Sequence, residues 1–220
     1  QSGQTLAIVG KTGSGKSTIV QLLNRLYDNS SGEILIDNDP IQRINLNDLR
    51  NQTGCVPQDV FLFSDTIGNN ISFGTFAKNQ KSNQKDIEWA ARQAAVHETI
   101  NQFNKGYETV VGERGVTLSG GQKQRVSIAR AILKTPQILI FDDCLSAVDT
   151  ETEEKILTNL KQIMANKTTI IVSHRISSIK HADHIIMIEN GKIIEEGQHD
   201  ELIQLNGAYN NLYEKQLIED

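Results

Sequence analysis

The sequence lacks the marks of a membrane span, an oxidised secreted module or a nucleic-acid binder. No apolar run approaches the roughly 18 residues that a transmembrane helix needs. Gln1-Ser2-Gly3-Gln4 has no basic start followed by an apolar stretch, so it is not a signal peptide. Cysteine occurs only at Cys55 and Cys144, far apart and without metal-ligand spacing. Both read as free, small, half-buried side chains, which excludes a disulfide-stapled fold. Proline is scarce, at 3, while Asn and Gln are abundant. Basic residues are outnumbered, 22 Lys+Arg against 27 Asp+Glu, for a net charge of −5. That balance argues against a strongly basic surface that would track phosphates of a nucleic acid. What is present is 220 residues, enough for one large domain or one domain with an inserted subdomain. The chain does not begin with Met, and it is expected to be a piece of something longer.

Four apolar runs read as buried strands: Leu6–Val9, Glu33–Ile36, Ile138–Phe141 and Thr169–Val172. Short β-branched runs bounded by turn residues suit a parallel sheet covered on both faces. His184–Ile188 and Lys192–Glu195 are joined through Asn190-Gly191, a hairpin signal. Helical spacing relates Ile19, Val20, Leu23 and Leu26, then Ile87, Ala90, Ala91 and Ala94, then Ile156, Leu157, Leu160, Ile163 and Met164. Leu202, Ile203, Tyr209, Leu212 and Tyr213 predict an amphipathic closing helix. Trp89 is assigned to packing, His97 and His199 to the surface, and His181/His184 to no metal. The polar stretch Lys78–Lys85 is the best loop candidate. Alternating strand and helix predicts an α/β doubly wound core with a mainly parallel sheet. Residues 66–134 carry helices and little strand pattern. They are expected to form a helical subdomain inserted into a core made of 1–65 and 135–220.

Three motifs carry chemistry. Gly10-Lys11-Thr12-Gly13-Ser14-Gly15-Lys16-Ser17-Thr18 fits the phosphate-binding loop pattern, between a buried strand and an amphipathic helix. Its glycines let successive backbone N–H groups point inward, and the helix N-terminus adds a favourable dipole. Lys16 would reach the β- and γ-phosphates, and the Ser17 hydroxyl would ligate Mg²⁺. The second motif, Ile138–Asp143, is an apolar strand ending in acids. It places Asp142 at the carboxyl edge of the sheet, where it would hold Mg²⁺. The third, Leu118-Ser119-Gly120-Gly121-Gln122, opens a helix with an N-cap serine and two glycines that leave N–H groups uncovered. One chain with two anion-binding helix ends but one set of Mg²⁺ ligands predicts that the second end serves a nucleotide held elsewhere.

Together these motifs resemble the nucleotide-binding domain of an ATP-binding-cassette (ABC) transporter, a P-loop NTPase with a RecA-like core. Gln58 resembles the family's glutamine loop, Ser146-Ala147-Val148-Asp149 the loop after the acidic strand, and His174 the switch histidine. The ordered set covers nearly all of the chain. The resemblance implies a head-to-tail dimer with ATP and Mg²⁺ between the phosphate loop of one domain and Ser119–Gln122 of the other. It implies that Gln58 contacts Mg²⁺ and senses a transmembrane domain, that Asp149 communicates between sites, and that His174 hydrogen-bonds the γ-phosphate and attacking water. Val110–Gly115, with Glu113-Arg114, resembles the exporter-type segment. The expected function is ATP hydrolysis powering export through a transmembrane domain of the same polypeptide, at the cytoplasmic face of a membrane, with no nucleic-acid partner.

Two features depart from the family. Its usual Glu after the acidic-strand Asp is here Asp143, one methylene shorter. As general base or water positioner it would sit back from its target, and misplacement on the ångström scale costs about a hundredfold in rate. An Asp here resembles the weak-site half of a heterodimeric exporter. The aromatic residue on which the family stacks adenine would precede Gln1, which predicts weaker nucleotide binding by this chain. Competing readings are a nucleotide-binding regulatory module with little hydrolysis, favoured by Asp143, and a soluble ABC ATPase of DNA repair or translation. The single cassette and acidic charge weigh against the latter, and Glu113-Arg114 against an importer.

Overall fold

The computed structural model describes residues 2–78, 82–112 and 117–219. A six-stranded sheet forms the centre, in the order β4 (Thr53–Val56), β5 (Ile138–Asp142), β6 (Thr168–Val172), β1 (Thr5–Val9), β7 (His184–Glu189) and β8 (Lys192–Gly197). All neighbours are parallel except β7 and β8, the hairpin read from Asn190-Gly191. Alternate side chains of β1, β5 and β6 enter different packing layers. Ala7, Val9, Leu139, Phe141 and Ile171 join a large core cluster, while Ile8, Ile140, Ile170 and Val172 join a second with Val20. Burial on both faces explains why these strands read as unbroken apolar runs.

Helices α1 (Lys16–Leu23), α2 (Leu46–Gln52), α6 (Gly120–Leu133) and α7 (Thr150–Met164) lie between strands in the chain. Between β4 and α6 come α3 (Ile67–Ser72), α4 (Gln84–Gln93) and α5 (His97–Asn101). The described residues of 66–134 hold no strand longer than the isolated bridge Thr66–Val110. Their buried residues, such as Ile71, Ala90 and Ile128, pack in the same large cluster as the sheet.

The structure corrects several expectations. Glu33–Ile36 is no buried strand of the parallel sheet. Only β2 (Leu35–Ile36) is extended, and it pairs antiparallel with β3 (Asp39–Pro40), leaving Leu35 exposed. Asp37 and Asn38 both take positive φ, 51° and 68°, the geometry of a two-residue hairpin turn. Strand β4 was unforeseen because Thr-Gly-Cys-Val has little strand pattern. Gly54 is required there: a Cβ would stand 2.7 Å from Pro136 and 2.9 Å from the Ala131 carbonyl.

Helix α1 stops before Leu26, which is 58% exposed. The Asn24 amide bonds the Val20 carbonyl, and Arg25 turns to φ 47°. Ile87, Ala90, Ala91 and Ala94 are buried along α4, whereas Trp89 lies off that face and is 42% exposed, outside the buried core. His97 is not a surface residue: it is buried, with Nδ1 2.8 Å from the Tyr107 hydroxyl and Nε2 3.0 Å from the Asn101 amide. His199 is half-buried, its Nδ1 2.9 Å from the Tyr209 hydroxyl. The closing helix is two, α8 (His199–Gln204) and α9 (Ala208–Glu219). Both cysteines are free, Cys55 half-buried and Cys144 buried. Part of the loop Lys78–Lys85 lies outside the described residues.

Candidate functional site

The end of β1 delivers the chain into residues 10–15, which turn to start α1. Gly13 and Gly15 hold φ 82° and 105°, conformations that a Cβ strains, and Gly15 is the N-cap of α1. Lys16 is buried under this loop, and its Nζ donates to the carbonyls of Gly10 (2.7 Å) and Lys11 (2.9 Å). Burial lowers its pKa, while the nearby carboxylates of Asp143 and Asp142 pull the other way. The Ser14 carbonyl accepts from Gly191 N (3.1 Å), so the β7–β8 turn braces the loop. Exposed Lys11 pairs with Glu189 at 3.1 Å.

Strand β5 brings Asp142 to the same place. Ser17 Oγ donates to Asp142 Oδ1 at 3.5 Å across 125 residues of sequence. Burial raises the Asp142 pKa, opposed by the Ser17 hydrogen bond. Asp143 follows at φ 46°, a left-handed conformation that Asp tolerates better than most residues. It is held by its own N–H on the Val172 carbonyl (2.8 Å) and by Ser146 Oγ on its carbonyl (2.9 Å). Its carboxylate lies 3.8 Å from Nε2 of His174, which follows β6.

These groups share one cleft of about 230 Å³. Its lining includes Thr12, Gly13, Gly15, Lys16, Ser17, Thr18, Gln58, Asp142, Asp143 and His174. Gly10, Lys11 and Ser14 form the loop behind it. A larger cleft, about 720 Å³, opens between β2–β3 and the sheet, and is lined by none of Lys16, Ser17, Gln58, Asp142, Asp143 and His174. Size therefore does not mark the site; convergence of charge and hydrogen-bonding groups does. Two oxygens, from Ser17 and Asp142, meet as a hard divalent cation requires, with the Gln58 carboxamide in the same cleft.

Ser119, Gly120, Gly121, Gln122 and Asp149 do not line this cleft. Ser119 caps α6 reciprocally: its Oγ accepts from Gln122 N (3.3 Å), and Gln122 Oε1 accepts from Ser119 N (2.9 Å). Gly121 backs onto the Ala147 carbonyl too closely for a side chain. Asp149, at the end of that loop, caps α7 by accepting from Thr152 N (2.9 Å), a bond that lowers its pKa. Glu113, Arg114 and Gly115 lie outside the described residues.

Sequence reasoning missed one surface. Phe61, Phe63 and Phe73 are 52%, 37% and 47% exposed, with ring centroids 5.2 and 4.3 Å apart in succession. Arg130 lies over the Phe63 and Phe73 rings, and its guanidinium bonds Asn70 and the Phe61 carbonyl. The only advance signal was Phe-x-Phe just after Gln58.

A parallel α/β sheet, a phosphate loop at the end of its β1 and a strand-end acid beside it define a P-loop nucleotide-binding domain. The chain belongs to the ABC transporter family: residues 1–146 match the family described as "ABC transporter". It is 47% identical over 214 residues to "ATP-binding cassette sub-family B member 6" of Xenopus tropicalis, covering 97% of this chain and 25% of that protein. It is 46% identical over 217 residues to an "ATP-dependent lipid A-core flippase" of Pectobacterium atrosepticum, covering 99% and 37%. Among solved structures, a bacterial Atm1-family ABC exporter with ATP bound superposes at a TM-score of 0.93 with 43% identity, over 98% of this chain and 37% of that one. The chain thus spans between a quarter and two fifths of these proteins. Among the described residues, no helix is long and apolar enough to cross a membrane.

Proposed function

We propose that this domain binds ATP with Mg²⁺ and hydrolyses it to drive export through a transmembrane domain. The observation that carries the reading is the meeting of Lys16, Ser17, Asp142, Asp143, Gln58 and His174, from separate segments, around one cleft. Lys16 and the loop N–H groups would hold the phosphates. Ser17, Asp142 and Gln58 would hold Mg²⁺, which when bound offsets phosphate charge. Asp143 would orient the attacking water, with His174 bonding that water and the γ-phosphate. The chain makes no covalent bond to the phosphoryl group, so rate enhancement comes from positioning and charge stabilisation.

Ser119–Gln122 would close on ATP held by a second cassette, and Asp149, beside it, would link the two sites. The exposed Phe61–Phe63–Phe73 surface supports a partner domain, since contiguous apolar patches mark contact sites. The names of the relatives, an ATP-dependent flippase and an exporter, support outward transport and a place at the cytoplasmic face of a membrane. Asp143 favours the finer reading in which this is the weak-site half of a heterodimer whose partner carries Glu. It also favours the second reading, a module that closes on ATP and hydrolyses it slowly.

ATP affinity and steady-state hydrolysis of the wild type, Lys16→Ala and Asp143→Glu test the site and its acid. Lys16→Ala is expected to weaken ATP binding at least about tenfold, because it removes the phosphate-facing cation. Unchanged binding would reject the site. Asp143→Glu is expected to raise turnover about tenfold or more. No rise would reject the shorter acid as the limit on hydrolysis.

A further inference from the structure

His174 sits on a short connection after β6 that other parts of the molecule grip from several sides. Ser173 N donates to the Ile8 carbonyl at 3.2 Å, tying its start to β1. Ser173 Oγ accepts from Arg175 N at 3.0 Å. The Arg175 guanidinium donates to Glu153 at 2.8 Å, and Glu153, 2% exposed on α7, also accepts from Ser178. These contacts fix the residues flanking His174, but none touches His174 itself.

A side chain of the C-terminal helix does reach the backbone of His174. Gln216 of α9 donates through Nε2 to the His174 carbonyl at 2.6 Å. The same carboxamide accepts through Oε1 from Ile176 N at 2.8 Å. A single amide therefore spans the backbone on both sides of Arg175, 40 and 42 residues away in sequence. The pairing uses both ends of the amide, donor and acceptor, so a carboxylate of the same length satisfies only one of the two partners.

Helix α9 is itself anchored near its start. The Glu195 carboxylate of β8 accepts from Ala208 N and, at 2.9 Å, from Tyr209 N. Tyr209 is fully buried. Gln216 thus stands on a helix whose first turn is fixed to the sheet. Its neighbours Leu217 and Ile218 are 60% and 85% exposed, so this end of α9 is not held by apolar packing of those residues. The Gln216 contacts are what tie it to the His174 loop.

We propose that Gln216 is a positioning residue for His174. It holds the backbone of the His174–Ile176 loop so that the imidazole stays by Asp143, where Nε2 and the carboxylate are 3.8 Å apart. Loss of the amide frees the loop at its centre while leaving the phosphate loop and the Ser17–Asp142 pair intact. The cost falls mainly on turnover, because the phosphate loop, Lys16 and the Ser17–Asp142 pair keep most ground-state contacts while the group that meets the attacking water is misplaced. The proposal rests on the reading of His174 given above.

The test measures single-turnover hydrolysis, ATP affinity and Tm in the full-length protein for the wild type, Gln216→Ala, Gln216→Glu, His174→Ala and the Gln216→Ala/His174→Ala pair. Gln216→Glu keeps an acceptor for Ile176 N but turns a second oxygen on the His174 carbonyl. Both Gln216 variants are expected to lose about tenfold or more in rate, with ATP affinity within about twofold of wild type and Tm little changed. On the His174→Ala background, Gln216→Ala is expected to add no further loss. Wild-type rates in both Gln216 variants overturn the proposal, as does a full repeat of the loss without the imidazole, or affinity and Tm falling together. If Gln216→Ala does not fold, Gln216→Glu decides. If His174→Ala keeps wild-type turnover, the reading of His174 falls and the proposal with it. If His174→Ala is inactive while the Gln216 variants are not, the proposal alone falls.

Discussion

At Asp142, folding and function pull in opposite directions. Its carboxylate sits inside the site, and burial raises its pKa above the ordinary 3.8. A carboxyl with a raised folded pKa holds its proton longer in the native state than in the unfolded chain. Stability is then lost as pH rises through the interval between the two values, and the penalty persists at neutral pH. Asp142→Asn removes the charge and keeps the shape. It is expected to raise the Tm of the metal-free domain at pH 7, each kcal/mol being worth about 2–4 °C at this size. The same substitution removes the anionic partner of Ser17, so Mg²⁺-dependent tightening of ATP binding is expected to disappear. A lower Tm in Asp142→Asn would mean that the Ser17 and Lys16 contacts outweigh the cost of burial. Residues of this kind were legible from sequence: strand-end acid and loop lysine have fixed local contexts. His174 was legible only through the ordered motif set, and His97 and Trp89 were misplaced, because a single side chain's burial depends on neighbours distant in sequence.

Elements were legible where one period was sustained. Strands β1, β5 and β6 are buried on both faces and read as continuous apolar runs, and α7 showed its buried stripe at Ile156 and Leu160. Strand β4 was not legible, although it is the element that delivers Gln58. Its four residues carry a glycine, and only tertiary contact makes them a strand: β4 pairs with β5 from Thr53↔Ile138 to Val56↔Phe141. Gly54 lets that edge approach α6, with the Ala131 carbonyl and Pro136 where a Cβ would point. Gly54→Ala is therefore expected to destabilise the domain by about 1–3 kcal/mol, the range for overpacking a filled site. Chemical denaturation would read this as a lower midpoint with an unchanged m-value. A neutral or stabilising result would mean that β4 moves away from α6 freely, and Gln58 would then sit on a loose edge. Glu33–Ile36 failed for the opposite reason. Its apolar residues are real, but the turn residues Asp37 and Asn38 close a local hairpin before the segment can join the sheet.

Two glycine-flanked helix N-termini, those of α1 and α6, do not meet within the one chain. The N-terminus of α1 opens on the cleft with Lys16, Ser17 and His174, while Ser119 and its capped helix lie against Ala147 and outside that cleft. From the sequence, the second end is expected to serve a nucleotide held elsewhere, and the separation is compatible with that proposal. Under the proposed function, the chain's own cleft binds ATP without Ser119, and Ser119 serves a closed, hydrolysing site on another cassette. Ser119→Arg tests the division. The larger side chain fills the approach to the α6 terminus and leaves the cleft of its own chain untouched. ATP affinity measured on the separated domain is expected to stay within about twofold, and hydrolysis by the assembled protein is expected to fall about tenfold or more, as for removal of a contact made only in the transition state. If affinity and hydrolysis fall together, Ser119 serves the nucleotide of its own chain, and the head-to-tail arrangement is wrong. If neither changes, the second helix end is an ordinary capped terminus and binds no nucleotide.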